Sequence, residues 1–317
     1  MKKLKVVFLG TPDFAVASMK AIHESEHQLV GAITMPDKPA GRGKKLQSSP
    51  VKVYAVEQNI PLLQPSNLKD EDFLKELKYL NADIFIVVAF RMLPEAVWNM
   101  PEMGTVNLHG SLLPDYRGAA PINWAVMNGD KKTGVSTFQL KHKIDTGDIL
   151  LQNETPISED DNVGTVHDRL MNIGAELIVT TLDQLSSGNT KAIPQDSLND
   201  GPYREAPKLF KPDCLIDWGK NQEEIFNHIR GLSPYPAAYT VLTDGKEEKN
   251  LKIFKTSKSD KAISTGSLKV EGKQVFVGTG SSSLELLEVQ LAGKKRMSVK
   301  DLLNGFSFDS YKIKTNE

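Results

Sequence analysis

Six consecutive apolar residues, Ile84-Phe-Ile-Val-Val-Ala89, constrain this chain more than any other stretch. Side chains alternate between the two faces of a strand, so a run that is apolar at every position must be covered on both sides. A central strand of a parallel sheet, flanked by helices, meets that demand. Residues 4–9, 28–34, 134–140 and 149–152 supply further strand candidates. Helix signals fall between them. Thr11 reads as a cap with Pro12 at the first helical position, ahead of an apolar face from Phe14 to Ile22. Ser49-Pro50 repeats that pattern, residues 72–80 read as a helix, and another runs from Pro121 to about Met127. Val163 to Ser186 carries Val166, Leu170, Ile173, Leu177, Ile178 and Leu182 at helical spacing. Alternating strands and helices predict an α/β fold, a doubly wound, Rossmann-like parallel sheet.

A chain of 317 residues exceeds the ~150 of one domain. Residues 189–211 show no sustained periodicity and read as a linker. Beyond it come a helix over Gln222–Ile229 and short strands near 237–243, 250–256, 265–271, 273–278 and 284–289, separated by glycine turns. That pattern predicts a smaller, OB-like β-barrel. The expected division is a catalytic domain over 1–189, a linker over 190–208 and a barrel domain over 209–317. Net charge is -1 overall, but residues 1–190 hold 19 Lys/Arg against 23 Asp/Glu, and residues 191–317 hold 20 against 17. The basic second part is compatible with RNA contact.

The single cysteine, Cys214, excludes an internal disulfide and suits a reducing compartment. It lies in an apolar strand pattern, Asp213-Cys-Leu-Ile-Asp217, and reads as a buried small hydrophobe. No run approaches the ~20 apolar residues of a membrane span, and the apolar run after Met1-Lys-Lys is too short for a secretory core. A cytoplasmic location is expected. The opening strand–glycine–helix pattern invites a dinucleotide, yet Gly10-Thr-Pro-Asp-Phe-Ala15 lacks the second and third glycines of that fingerprint.

Ligands of open parallel sheets bind beyond the carboxyl ends of the strands. Asn107-Leu-His109 follows an apolar Thr105-Val106, so alternation puts the amide and the imidazole on one face at such an end. An amide donor can stabilise an oxyanion, and an imidazole can hold or move a proton. Read alone, the pair is more often a solvated strand end. Asp145, in Asp-Thr-Gly-Asp148, reads alone as a turn aspartate. His142, flanked by lysines, reads as surface, and His167 as a helix-face residue. No His/Cys/Asp/Glu grouping has metal-ligand spacing, so no metal is expected. Lys38, Arg42, Lys44 and Lys45 cluster among Pro39, Gly41 and Gly43, an electropositive loop suited to a phosphate backbone, though read alone it is more often a solvated surface loop. Lys294, Lys295 and Arg296, with Lys300, form a second basic patch.

Asn107-x-His109, Ser111-Leu-Leu-Pro114 and Arg117-Gly118 together resemble the signature of folate-dependent formyltransferases. Gly10–Ala15, the stretch Pro36-Asp-Lys-Pro-Ala-Gly-Arg-Gly-Lys-Lys-Leu46, Asp145–Asp148 and Ile229-Arg-Gly-Leu-Ser-Pro-Tyr-Pro236 extend the resemblance, in order, to the branch acting on methionyl-tRNA. It covers about residues 4 to 305. The resemblance implies 10-formyltetrahydrofolate as formyl donor and initiator methionyl-tRNA as acceptor. It implies catalysis by Asn107, His109 and Asp145, and folate contact by Ser111, Leu112, Leu113 and Pro114. It further implies tRNA contact by the Lys38–Lys45 loop, and a monomer is expected. The family commonly has glycine at the position of Arg91. A glycinamide-ribonucleotide formyltransferase, a formyltetrahydrofolate hydrolase and a non-catalytic tRNA-binding protein are the rival readings.

Overall fold

A computed structural model describes residues 2–40, 45–198 and 202–314. The chain divides into two compact units, one drawn from 1–121, 133–155 and 167–206, the other from 122–132, 156–166 and 207–317.

The first unit is built on a seven-stranded sheet. Across it run Ile149–Pro156, Lys132–Gln139, Thr105–His109, Ile84–Val88, Lys5–Gly10, Gln28–Ile33 and Leu62–Leu63. Ile84–Val88 is buried at every position and pairs in parallel with Lys5–Gly10 on one side and Thr105–His109 on the other. The two-sided apolar run thus takes the central position its composition requires. Val7, Leu9, Phe85 and Val87 pack with Phe73 and Leu77 of the helix Glu71–Tyr79; each such side chain contributes about 1.5–3 kcal/mol when fully buried. Thr105–His109 pairs antiparallel with Lys132–Gln139, so the parallel run ends there. The chain leaves Lys5–Gly10 to the Gln28–Ile33 side and later returns on the opposite side. That reversal falls at the strand ends Gly10, Val88 and His109, the place where open α/β sheets bind their ligands.

Two helix starts of this unit follow local chemistry, and the first helix departs from it. Ser49 caps Pro50–Glu57 by accepting from Lys52 N, and Asp70 caps Glu71–Tyr79 by accepting from Phe73 N. Thr11 does not cap the first helix, Asp13–Glu24. Pro12 occupies the cap in extended backbone, and its own carbonyl accepts the Ala15 N–H at 2.9 Å.

In the second unit, the helix Gln222–Leu232 opens with a reciprocal capping box between Asn221 and Glu224. A barrel-like antiparallel sheet runs in the order Leu268–Glu271, Gln274–Gly278, Ser283–Leu291, Glu248–Ser259, Ala238–Thr243 and Lys312–Ile313. Ile225, Ile229, Leu251, Ile253, Leu284 and Leu286 form its core. Cys214 is buried in that core as expected, but on a short 3-10 helix, Pro212–Cys214, not a strand. Pro212 there begins a tight turn whose Phe210 and Lys211 carbonyls accept from Asp213 and Cys214.

Candidate active site

Asn107 and His109 share a face of Thr105–His109, opposite Phe138 and Ser136 of the neighbouring strand. His109 is buried. Its Nε2 lies 2.8 Å from the carbonyl oxygen of Tyr116. A carbonyl only accepts, so Nε2 carries the proton and Nδ1 is left for chemistry. Nδ1 lies 4.0 Å from Asp145 Oδ2. At that distance the pair is an electrostatic contact, not a hydrogen bond. The Asn107 amide is half-buried and hydrogen-bonds to none of the described residues.

Asp145 is held from two directions. Gly118 donates its backbone N–H to Oδ2 at 3.0 Å. Gln195 donates Nε2–H to the Asp145 carbonyl at 2.9 Å and to that of Gly147 at 2.7 Å. Arg117 in turn donates Nε–H and Nη2–H to Gln195 Oε1 at 2.9 and 2.7 Å. Asp145 and Tyr116 both adopt left-handed backbone, φ 52° and 62°, as does Ala89 after the central strand, φ 48°. Side chains rarely tolerate that region, and its use clusters where function fixes geometry. Residues 202–206 belong to this unit and lie along the loop after His109. Arg204 O accepts from Tyr116 N, and Ala206 O accepts from Ala119 and Ala120 N. Gly118 has φ 125°, and a Cβ there would stand 2.5 Å from Ala206 O.

The segment Ser111–Pro114 is built into the protein. Ser111 is buried, donates Oγ–H to Asp115 O and accepts on its carbonyl from Ser136. Leu113 sits with Phe138 and Ile149 in a small core, its N–H bonded to Ser136 Oγ and its carbonyl to Gln152. Leu112 and Pro114 keep part of their surface. Arg91 donates to the carbonyls of Ser66 and Pro65, and burial lowers its pKa from the ordinary value. It lines an open groove with Ser66, Leu68, Leu74 and Leu93, to which none of Asn107, His109 or Asp145 contributes.

Lys38 is exposed at the start of a hairpin pairing Lys38–Ala40 with Lys45–Gln47. Lys45 pairs through its backbone with Ala40, while Arg42 and Lys44 lie outside the described residues. Asp37 anchors the hairpin base. It accepts from Lys52 at 2.7 Å, from Gln64 at 3.2 Å and from Ser48 at 3.3 Å, and the Lys52 hydrogen bond leads in lowering its pKa. His142 is exposed against Glu95, and His167 sits on its helix beside Asp168 and Phe14. Among the described residues no grouping of three or more His, Cys, Asp or Glu could hold a metal ion, and no helix is long and apolar enough to cross a membrane. In the second unit, Lys300 lies in the short helix Val299–Leu302, and Arg296 forms a two-point pair with Glu288.

Gln195 was not singled out by its sequence surroundings. Pro194-Gln-Asp-Ser197 has no motif or periodicity, and its partners are 48 to 78 residues away.

Family models described as formyl transferase and as formyl transferase, C-terminal domain, match residues 4–182 and 208–307. The methionyl-tRNA formyltransferase of Bacteroides fragilis is 50% identical, with 99% of each chain covered. That of Parabacteroides distasonis is 54% identical over 96% of this chain and 97% of its own. Among solved structures, the N-formyltransferase of Helicobacter canadensis with folinic acid and dTDP-3-aminofucose aligns with a TM-score of 0.65 at 17% identity, over 93% of this chain and 100% of its own. HypX from Aquifex aeolicus in complex with tetrahydrofolic acid aligns with a TM-score of 0.63 at 17% identity over 95% of this chain, which spans 47% of that protein. These two likenesses establish the shared fold. The matched models and the end-to-end relatives establish more: the chain belongs to the formyl transferase family, in its methionyl-tRNA formyltransferase branch.

Proposed function

We propose that this protein transfers the formyl group of 10-formyltetrahydrofolate to the amino group of initiator methionyl-tRNA. The observation that carries the reading is His109 Nδ1 beside Asp145 Oδ2, with Asp145 clamped by Gly118 N–H and Asn107 on the strand face that carries His109.

The amine attacks the formyl carbon, a C–N bond forms, and the carbonyl oxygen becomes an oxyanion. The unpartnered Asn107 amide is the donor for that oxygen. Neutral His109, its Nε2–H committed to Tyr116 O, offers the Nδ1 lone pair to the amine proton. Asp145 faces the imidazolium so formed and stabilises it. As the intermediate collapses, the bond from carbon to N10 breaks and the proton passes to N10, giving tetrahydrofolate and the formylated amine. Ser111–Pro114 borders this centre and supplies the wall against which the folate lies. With Ser111 and Leu113 turned inward, backbone groups and the exposed parts of Leu112 and Pro114 make the contact. The stretch from Lys38 to Lys45, whose sequence includes Arg42 and Lys44, contacts the tRNA backbone. The barrel domain is a second tRNA anchor. The protein works in the cytoplasm as a monomer and without a metal.

The test gives purified protein 10-formyltetrahydrofolate with methionyl-tRNA, uncharged tRNA or glycinamide ribonucleotide. Formyl-methionyl-tRNA alone is the expected product. Formate release without an acceptor marks a hydrolase, a formylated ribonucleotide marks a different acceptor, and no turnover removes the catalytic reading.

A further inference from the structure

Gln195 is 2% exposed, and its carboxamide has all of its hydrogen-bonding capacity in use. Its two N–H groups go to the carbonyls of Asp145 and Gly147, and its oxygen takes both Nε–H and Nη2–H of Arg117. No other uncharged side chain of that length presents two donors and two acceptors. Glutamate would set an oxygen against two carbonyl oxygens, and an apolar residue would leave both carbonyls and the Arg117 fork unpartnered. The segment itself is fixed, since Ile193 exchanges two backbone hydrogen bonds of 2.8 Å with Ile149, and Gln195 begins a 3-10 turn through Ser197.

What this amide holds is a backbone with few bonds of its own, Thr146 Oγ–H to Lys143 O at 2.9 Å and Gln139 N–H to Asp148 O at 3.1 Å. Asp145 stands at φ 52°. Gly147 is so close to Gln139 that a Cβ would overlap its carbonyl oxygen. Arg117, on the other side of the amide, adjoins Gly118, whose N–H fixes the Asp145 carboxylate. One side chain therefore ties the backbone of Asp145 to the residue next to the donor that holds its carboxylate. We propose that Gln195 is a positioning residue for formyl transfer, acting through Asp145 to hold Oδ2 toward His109 Nδ1. This rests on the reading of Asp145 as part of the transfer machinery.

The full-length protein carrying Gln195→Met, which keeps volume and removes all four hydrogen bonds, tests it beside Gln195→Glu, which keeps a partner for Arg117 and removes the two donors. Both should lower kcat roughly 10–100-fold, the scale of a small misplacement at a reacting centre. KM for each substrate should stay within about twofold, because only the transfer step is touched. The deciding measurement is a double-mutant cycle. In an Asp145→Ala background, neither substitution should slow turnover more than about twofold further. Losses that multiply, or a kcat near wild type in Gln195→Glu, overturn the proposal. A general folding defect would lower active-enzyme content in both backgrounds alike, and active-site titration separates it. If Asp145→Ala is itself fully active, the failure belongs to the catalytic reading. If Asp145→Ala is impaired while the Gln195 variants are not, the failure belongs to this inference alone.

Discussion

The backbone N–H of Gly118 reaches Oδ2 of Asp145 at 3.0 Å, so the carboxylate facing His109 is fixed by the loop that His109 itself leads into. Asp145→Asn keeps an oxygen for Gly118 and removes the charge that would face an imidazolium. Turnover should fall ~10²–10⁴-fold, as when proton transfer is lost. Asn107→Ala should cost ~10²–10³, the scale of one oxyanion donor. Single-turnover rates with folate affinity measured alongside check both, and a folate defect as large as the rate defect would move the residue from chemistry to binding.

Gly118→Ala meets two penalties at once. Its φ of 125° suits glycine, and the added Cβ would stand 2.5 Å from Ala206 O. Left-handed strain alone costs roughly 1–3 kcal/mol, and relief of the overlap moves the N–H that holds Asp145. The variant should unfold at lower urea and turn over more slowly, and unchanged values of both would show that the loop gives way freely.

His228 in the second unit predicts an acid limb in stability. Burial, aided by Lys220, pushes its pKa down from the usual 6.5 to about 4. The folded ring stays neutral to about 4, while the unfolded chain binds a proton from about 6.5 downward. Stability from this group is therefore complete above 6.5 and is lost as pH falls through that window, by about 3 kcal/mol in total at ~1.4 kcal/mol per unit. Denaturation midpoints measured at several pH values should fall across it. His228→Gln should flatten the slope, and an identical slope in the variant would assign the limb to carboxylates.

Arg42→Ala should raise KM for methionyl-tRNA and flatten the dependence of log affinity on log salt by about one unit, the effect of one lost phosphate contact. Lys38→Ala should act the same way. Parallel salt slopes, or an equal loss of folate affinity, would take the hairpin away from RNA.

Elements with a strong local signal were legible in the sequence. Ile84–Val88 follows from an apolar run with no polar face, Val163–Ser186 from helical spacing, and Asn107 with His109 from simple alternation. Thr11 misled because its type signals a cap while Pro12 had already taken the position. The 189–211 stretch looked like a linker for lack of periodicity. Its described residues take partners far along the chain, such as Arg204 with Asp115 and Ala206 with Ala119 and Ala120. Gln195 was invisible for the same reason. Its four bonds depend on tertiary placement, and no local pattern encodes them.

The interleaving of the two units bears on recombination between relatives. Residues 122–132 and 156–166 cluster with the C-terminal stretch, and 167–206 with the N-terminal one. A chimera spliced near residue 189 would import Gln195, Arg204 and Ala206 from the donor of the barrel and set them against loops from the other parent. Moving the crossover past Ala206 keeps the loops of Tyr116, Gly118 and Asp145 with their native partners, yet it still leaves two inherited inserts inside the foreign unit. A transplant that respects the fold therefore needs three exchanged stretches, and the parent that supplies the barrel must also supply the helix residues 122–127.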